Sequence, residues 1–243
     1  MAQSDDITAA LLVIGDEILS GRTKDKNIGA VADRMTQIGI RLKEVRVVAD
    51  DEADIVAAVN ALRARYSYVF TTGGIGPTHD DITADSIAKA FGVSIDVDPR
   101  ARALMQAACD ARGVELTPAR LRMARLPDGA ELVDHPVSIA PGFILQNVVV
   151  MAGIPDIMQV MLDAVTPRLK TGARMLSQSL QLQRAESAIA DVFADHQRCY
   201  PDVAMGSYPA MHDGKPTVDL VLRGTDPARL AEAFETLKAK LAP

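Results

Sequence analysis

The first strongly patterned segment of the chain is a short apolar run, Ile7 to Ile14. The run is nearly unbroken and stops at a glycine and two acids, Gly15, Asp16 and Glu17. A strand with one face in water alternates apolar and polar residues, whereas a strand of a parallel sheet is covered by helices on both faces and is apolar throughout. The run therefore predicts a central strand of a parallel sheet, with polar residues beyond its carboxyl end.

The segments that follow alternate between helical and strand patterns. Apolar residues spaced by three and four predict helices, and β-branched alternation or short apolar runs predict strands. In chain order the patterns predict a helix at Lys26–Ile38, a strand at Leu42–Ala49, a helix at Ala53–Ala64, a strand at Tyr68–Thr71 and a helix at Asp81–Phe91. This order predicts an α/β fold with a mainly parallel sheet and helices on both faces.

The rest of the chain predicts a domain boundary near residue 170. A first domain, residues 1–170, is completed by helices at Arg100–Arg112, Pro118–Arg125 and Pro155–Leu169 and by a hairpin of Phe143–Leu145 and Val148–Met151. Residues 171–243 predict a strand at Met175–Leu182, a helix at Ala185–His196, strands at Val203–Tyr208 and Thr217–Arg223, and a helix at Pro227–Leu241. That order predicts a small α+β domain.

The third predicted strand runs directly into a glycine-rich turn, which reads T-T-G-G-I-G-P-T-H-D-D-I-T from Thr71 to Thr83. Glycines allow the backbone to turn sharply and to approach a ligand closely. Amide groups at such a turn, together with the positive end of the next helix, can bind a phosphate. We therefore predict ligand contacts from Thr72, Gly73, Gly74, Gly76, Pro77, Thr78 and Thr83.

Two acidic loops follow the first and third predicted strands. Because the carboxyl ends of parallel strands meet at one rim of a sheet, Asp16 and Glu17 are expected near Asp81. Carboxylates there repel one another and a phosphate, and Mg²⁺ would relieve this by bridging them. The pattern predicts Asp16 and Asp81 as metal-binding and catalytic residues, with Gly15 and Glu17 contacting the ligand, and Asp80 as a helix cap or an exposed residue.

A third loop, Pro136 to Phe143, could lie beside this site because its prolines and glycine favour a rigid conformation. It predicts ligand contacts from Ser138, Pro141 and Gly142, although a purely structural turn fits the pattern equally well. The four histidines of the chain show no metal-ligand spacing.

Composition and charge argue against two classes of binding partner, nucleic acid and membrane. The net charge is −6, so the chain lacks the basic surplus of a nucleic-acid-binding protein. No apolar run approaches the roughly 18 residues of a membrane span, and the acidic N-terminus does not resemble a signal peptide. Cys109 and Cys199 form no C-x-x-C motif. The sequence predicts a cytoplasmic protein that binds neither nucleic acid nor membrane.

The motifs resemble those of a known family. G-D-E-I-L-S-G at Gly15–Gly21, with Asn27 following, and T-G-G-I-G-P-T-H-D-D-I-T at Thr72–Thr83 resemble the first two motifs of the molybdopterin-binding MoaB/Mog domain family. The A-P-G-F at Ala140–Phe143 resembles its third loop, and the motifs are most similar to the amino-terminal part of competence/damage-inducible (CinA-type) proteins. The domain type also occurs in some FAD synthetases. The resemblance covers roughly residues 7–168, and Arg184–Ala190 and Gly206–Pro209 resemble the CinA-type middle domain.

The resemblance implies a three-layer α/β/α sandwich that forms a homo-oligomer, a dimer or a trimer. It implies a pocket for molybdopterin or an adenine nucleotide. It also implies that Asp16 and Asp81 support Mg²⁺-dependent nucleotidyl or pyrophosphate chemistry, such as the hydrolysis of ADP-ribose.

The chain departs from the family pattern at three positions near the implied pocket. His135 and Ser138 stand where the usual N-P-x-G-x-A-P-G-F has Asn and Gly, and Ile157 replaces the Glu of P-G-V-P-x-E-M. The departures leave three hypotheses open: an enzyme, a non-catalytic carrier or sensor for a pterin or nucleotide, and an oligomeric scaffold.

Overall fold

A computed structural model describes residues 7–135 and 137–242. The chain forms two compact units, Met1–Gly172 and Ala173–Pro243. Among the described residues, no helix is both long enough and apolar enough to cross a membrane.

A six-stranded sheet forms the centre of the first unit. The strands of this unit are β1 (Thr8–Ile14), β2 (Arg41–Val48), β3 (Tyr68–Thr72), β4 (Ile95–Val97), β5 (Arg125–Pro127), β6 (Glu131–Val133), β7 (Gly142–Leu145) and β8 (Val148–Met151). The sheet has the order β2-β1-β3-β8-β7-β6, and β4 pairs separately with β5. Because β2, β1, β3 and β8 are mutually parallel and only the pairings of β7 are antiparallel, the predicted mainly parallel sheet is confirmed.

Helices cover both faces of this sheet. They are α1 (Asp16–Leu19), α2 (Asn27–Gln37), α3 (Glu52–Arg65), α4 (Thr83–Phe91), α5 (Pro99–Ala111), α6 (Pro118–Leu121) and α7 (Pro155–Val165). Alternate residues of β1 enter different cores, since Leu12 packs with residues of α3, α4 and α5 while Leu11 packs with residues of α2 and α7. This arrangement explains the unbroken apolar run and confirms the predicted three-layer sandwich.

Two predicted helices of this unit are shorter in the structure. The helix predicted at Pro118–Arg125 ends at Leu121, continues as a 3-10 turn, and gives way to β5, whose Arg125 pairs with Val97 of β4. The helix predicted to reach Leu169 ends at Val165 and is followed by a 3-10 turn at Thr166–Arg168. Pro167 has no amide hydrogen to continue the α-helical bonding.

The second unit is the predicted small α+β fold. Its elements are β9 (Leu176–Leu182), α8 (Ala190–Cys199), β10 (Ala204–His212), β11 (Lys215–Gly224) and α9 (Pro227–Lys240). The sheet is antiparallel with the order β10-β11-β9, and its buried face packs against the helices. β10 extends past the predicted end at Tyr208 through Pro209, which an edge strand tolerates because one side of its backbone has no partner strand.

A buried histidine makes the second unit sensitive to acid. His196 is fully buried, with Nε2 2.8 Å from the carbonyl oxygen of Ala233 and Nδ1 3.3 Å from Nζ of Lys240. Burial, and to a smaller extent the Lys240 charge, lower the pKa of His196, while the hydrogen bond to Ala233 opposes this. Because the folded pKa lies below the unfolded one, the stability contributed by the neutral ring is present above about pH 6.5 and is lost as the pH falls through the folded pKa.

We expect thermal unfolding of the second unit to shift to lower temperature between pH 7 and pH 5. A His196→Gln variant, which retains a donor for Ala233 but does not titrate, should lose part of that shift. Thermal melts of the full chain at the two pH values measure both effects. Identical shifts in wild type and variant would show that His196 is not responsible.

Candidate functional site

The loops at one rim of the six-stranded sheet enclose a large cleft. Four of these loops follow β1, β2, β3 and β8, whose carboxyl ends meet because the strands are parallel. A fifth loop precedes β7, which runs in the opposite direction and so begins at the same rim. The cleft has a volume of about 560 Å³, which lies within the roughly 300–1,000 Å³ of small-molecule sites.

The glycine turn forms one wall of this cleft, as the sequence predicts. Gly73 and Gly74 have φ values of +104° and +64°, which side chains rarely adopt. A Cβ at Gly73 would overlap the carbonyl oxygen of Ile14, and one at Gly74 would overlap the hydroxyl of Thr83. Both positions therefore require glycine for this turn.

Two hydrogen bonds from Thr83 join the turn to the start of α4. The hydroxyl of Thr83 donates to the carbonyl oxygen of Gly73 at 2.9 Å, and its amide donates to that of Gly74 at 3.0 Å. Thr83 is fully buried and does not line the cleft. The structure thus places this predicted contact behind the turn, where it fixes the backbone that faces the cleft.

Three consecutive amides of the turn have no internal acceptor. The amide of Gly73 donates to the carbonyl oxygen of Met151 at 3.2 Å. In the described part of the chain, the amides of Gly74, Ile75 and Gly76 donate to no other group, and all three residues line the cleft. Such amides favour an anionic oxygen as a partner.

Asp81 closes the turn and also reaches the cleft. Its Oδ2 accepts hydrogen bonds from the amide of Thr78 at 2.8 Å and from the hydroxyl of Thr78 at 2.5 Å. Asp81 lines the cleft, whereas Thr78 does not. Because this loop closure occupies Thr78 and Asp81, α4 begins at Thr83 rather than at the predicted Asp81.

Acidic side chains from three loops meet in the cleft, and one of them was not predicted. Glu17, Asp50, Asp80 and Asp81 line the cleft. Oδ2 of Asp50 accepts a hydrogen bond from the amide of Asp16 at 2.9 Å. Burial raises the pKa of Asp50 most, and repulsion from Asp16, Glu17 and Asp80 raises it further, although the hydrogen bond from Asp16 lowers it.

Asp16 does not line the cleft, although its charge helps to raise the pKa of Asp50. Its backbone amide, rather than its carboxylate, makes the contact that joins the two loops. The carboxylates that face the cleft from the ends of β1 and β2 are those of Glu17 and Asp50. Asp80, predicted as a cap or an exposed residue, is exposed and lines the cleft.

The structure separates the remaining predicted contacts into two groups. Glu17, Gly73, Gly74, Gly76, Pro77 and Ser138 line the cleft. Gly15, Thr72, Pro141 and Gly142 are buried and support it from below or from the side. Gly142, for example, starts β7, where a Cβ would come within 2.6 Å of the carbonyl oxygen of Val150.

Two of the departures from the family pattern contact each other. The amide of Ser138 donates to Nδ1 of His135 at 3.4 Å, and Nε2 of His135 lies 3.0 Å from the carbonyl oxygen of Ala140. The Ser138 hydroxyl donates to the same carbonyl oxygen at 2.8 Å. Although Ser138 lines the cleft as predicted, its hydroxyl is therefore used within the loop.

We expect the substitutions that restore the family residues at these positions to be strongly coupled. His135→Asn and Ser138→Gly should each destabilise the chain, because each removes one of the two side-chain contacts to the carbonyl oxygen of Ala140. The double variant should lose more than the sum, by about 0.5–3 kcal/mol, because that partly buried oxygen then loses both. Denaturant unfolding of the four proteins measures the coupling, and additive losses would contradict the proposed network.

The cleft also has an apolar wall, which the sequence patterns do not predict. Its side chains come from the loop before β7, from the loop after β8 and from α7, and they include Ile139, Ile154, Ile157 and Met161. Ile154 is 61% exposed, so its side chain is accessible to a ligand. Ile157 is the residue that replaces the glutamate of the family pattern.

The carboxylates of the cleft can hold a metal ion only when a bound ligand supplies further oxygen atoms. Within the described ranges, no group of three or more His, Cys, Asp or Glu side chains is arranged to hold a metal by itself. Mg²⁺ commonly uses one or two carboxylates and completes its coordination with phosphate oxygens and water. The repulsion that raises the pKa of Asp50 is the kind that a bound cation relieves.

Comparisons with known proteins agree with this architecture. Residues 10–171 match the family model of the probable molybdopterin binding domain, and residues 174–243 match that of the FAD synthase middle domain. A protein of Aeropyrum pernix is 34% identical over 220 residues, which are 86% of this chain and 82% of that protein. A CinA-like protein of Citrifermentans bemidjiense is 36% identical over 192 residues, which are 75% of this chain and 46% of that protein.

The crystal structure of a CinA protein of unknown function from Thermoplasma acidophilum matches with a TM-score of 0.61 and 31% identity, over 66% of this chain and 98% of that one. The chain spans about half the length of the CinA-like relative from Citrifermentans. On the strength of the family match over residues 10–171, the chain belongs to the MoaB/Mog family of probable molybdopterin binding domains, and its residues 174–243 are similar to the FAD synthase middle domain.

Proposed function

We propose that this chain binds molybdopterin or a related phosphorylated, nucleotide-like ligand in the rim cleft and, with Mg²⁺, hydrolyses a pyrophosphate bond of the ADP-ribose type. The observation that carries the proposal is the meeting, in one cleft, of three amides without acceptors, four carboxylates and an apolar wall. The amides match the phosphate of such a ligand, the carboxylates match the Mg²⁺ that accompanies it, and the apolar wall matches its ring.

The phosphate of the ligand would lie against the amides of Gly74, Ile75 and Gly76. A hydrogen bond to a charged oxygen contributes about 1.5–3 kcal/mol. The amino-terminal end of α4, which the turn precedes directly, adds a favourable dipole. The flat ring of a pterin or adenine would lie on Ile139, Ile154 and Ile157.

The charge of the cleft explains why a cation belongs in this proposal. Four of the described lining residues are acidic and none is lysine or arginine, so an anionic ligand entering alone would be repelled. Asp50 and Asp81, with Glu17 beside them, would hold Mg²⁺ against the phosphates. When bound, Mg²⁺ neutralises phosphate charge and polarises the phosphoryl group.

The chain's own groups would direct the reaction. In the hydrolysis of ADP-ribose, a bond forms between water oxygen and one phosphorus, the bridging P–O bond breaks, and AMP and ribose 5-phosphate leave. A cleft carboxylate that is not bound to the metal would take the proton lost by the water. Nucleotidyl transfer would use the same groups with an acceptor hydroxyl in place of water.

A non-catalytic carrier or sensor is the second candidate, and Ile157 favours it. The side chain at this position lines the cleft, so the glutamate of the family pattern would add a fifth carboxylate there. Its loss removes charge while leaving the amides and the apolar wall in place. The homo-oligomer expected from the resemblance, a dimer or a trimer, stays a prediction that size-exclusion chromatography with light scattering can test.

Calorimetry and ³¹P NMR with ADP-ribose, with and without Mg²⁺, test the proposal directly. An enzyme should bind ADP-ribose more tightly with Mg²⁺ and release AMP and ribose 5-phosphate. A carrier should bind it, or a pterin phosphate, without turnover. If neither ADP-ribose nor a pterin phosphate binds under either condition, the proposed function is wrong.

A further inference from the structure

A small recess behind the glycine turn holds arginines, which the cleft itself lacks. The recess has a volume of about 20 Å³ and is lined by Arg122 and Arg125. It shares part of its wall with the cleft, namely the turn residues Gly74–Gly76, Asp81 and Met123. The two arginines therefore line the same recess as the three residues whose amides have no acceptor in the described part of the chain.

Arg125 is occupied and has a structural role. Its guanidinium binds the carboxylate of Asp85 with two hydrogen bonds, of 3.0 Å and 2.7 Å. Asp85 lies in the first turn of α4, which starts at the glycine turn. The pair therefore fixes the 3-10 turn Arg122–Ala124, which directly precedes Arg125, against the helix that carries the glycine turn.

Arg122 has no such partner. Its side chain is exposed, and within the residues that the structure describes it forms no hydrogen bond or ion pair. Asp81 shares the recess with Arg122 but forms no ion pair with it, and Oδ2 of Asp81 accepts its two hydrogen bonds from Thr78. A guanidinium without a counter-ion among the described residues thus lies beside the residues of the phosphate-binding wall.

We infer that Arg122 is a ligand-binding residue that reaches around the glycine turn to the phosphate held by the Gly74–Gly76 amides. The inference rests on the proposed function and adds to it a preference for ligands with a dianionic or diphosphate group. A guanidinium suits this role because it is always charged and its planar fork matches two phosphate oxygens. Arg122 would also supply a positive side-chain charge, which the described lining of the cleft lacks.

Removing this charge should weaken binding of phosphates selectively. In Arg122→Met, the Kd of ADP-ribose and of inorganic pyrophosphate, measured by calorimetry with Mg²⁺, should rise about 10- to 100-fold. Arg122→Lys should recover part of the loss, since it keeps the charge but not the fork. The loss should shrink as salt is raised, because the interaction is electrostatic. A purely structural role would produce neither the lysine rescue nor the salt dependence.

Arg102 offers a matched control. It is an exposed arginine on α5 whose side chain has no partner among the described residues, so Arg102→Met should bind both probes like wild type. If wild type binds either probe and Arg122→Met binds it equally well, the inference is wrong while the proposed function stands. If wild type binds neither probe, the inference is overturned, and the proposed function is overturned with it only if a pterin phosphate also fails to bind.

Discussion

Replacing Asp50 with asparagine should lower kcat/KM for Mg²⁺-dependent ADP-ribose cleavage by about 10²- to 10⁴-fold. Asparagine has nearly the same shape, and its side-chain oxygen can still accept the hydrogen bond from the amide of Asp16. It is uncharged, however, and is therefore a weaker ligand for Mg²⁺. The loss should therefore appear in turnover and in the Mg²⁺ dependence of binding, without loss of the fold.

The same variant should be more stable than wild type at pH 7 in the absence of ligand. The folded pKa of Asp50 is raised, so its ionisation above that pKa destabilises the folded chain. The advantage of asparagine should disappear as the pH falls through the folded pKa, because Asp50 is then protonated in wild type as well. Thermal melts of both proteins, from pH 7 down through the folded pKa of Asp50, measure the effect. A variant that is both less active and less stable at pH 7 would contradict the prediction.

The neighbouring residue supplies the control for this experiment. Asp51 caps α3 by accepting hydrogen bonds from the amides of Ala53 and Asp54 at 2.9 Å and 3.1 Å. Asparagine caps a helix about as well as aspartate. Asp51→Asn removes one negative charge at the next position, so it should keep its turnover. Equal losses in both variants would mean that the general charge of the loop, rather than Asp50, matters.

Replacing Gly73 with alanine should produce the largest loss of stability among the site variants. The added Cβ would overlap the carbonyl oxygen of Ile14, which is backbone at the end of the central strand and cannot move aside easily. The φ of +104° is unfavourable for alanine in addition. We expect a loss of about 2–4 kcal/mol in the free energy of unfolding and a loss of phosphate binding, measured by denaturant unfolding and calorimetry.

A Gly113→Ala variant separates the cost of a positive φ from the cost of steric overlap. Gly113 has a φ of +63°, and a Cβ there would meet no atom within 4 Å. Gly113→Ala should therefore cost only about 1 kcal/mol and leave ligand binding unchanged. If Gly73→Ala unfolds at the same denaturant concentration as Gly113→Ala, the close approach of the turn to β1 is not what requires glycine.

The features that the sequence predicts well are those decided by neighbouring residues. The apolar run at Ile7–Ile14 indicates burial on both faces whatever the strand order. The glycine turn is likewise readable, because positive φ angles and close backbone approach depend on the glycines themselves. Together with the alternating order of helices and strands, these two features predict the parallel sheet and the rim at which the cleft lies.

The features that were missed depend on which strands become neighbours. Asp50 belongs to the cleft because β2 lies beside β1 and its carboxyl end reaches the same rim. Asp51, the next residue, is also an aspartate that follows β2, but its side chain caps α3. The apolar wall depends on β8 lying beside β3 and on the direction of β7, which no local pattern encodes.

A crystal structure of the chain with ADP-ribose and Mg²⁺ tests the central claim most directly. The account predicts phosphate oxygens about 2.7–3.2 Å from the amides of Gly74, Ile75 and Gly76, the metal ion between those phosphates and Asp50 or Asp81, and the ring of the ligand against Ile154 and Ile157. A ligand bound with its phosphates away from these three amides would contradict the account.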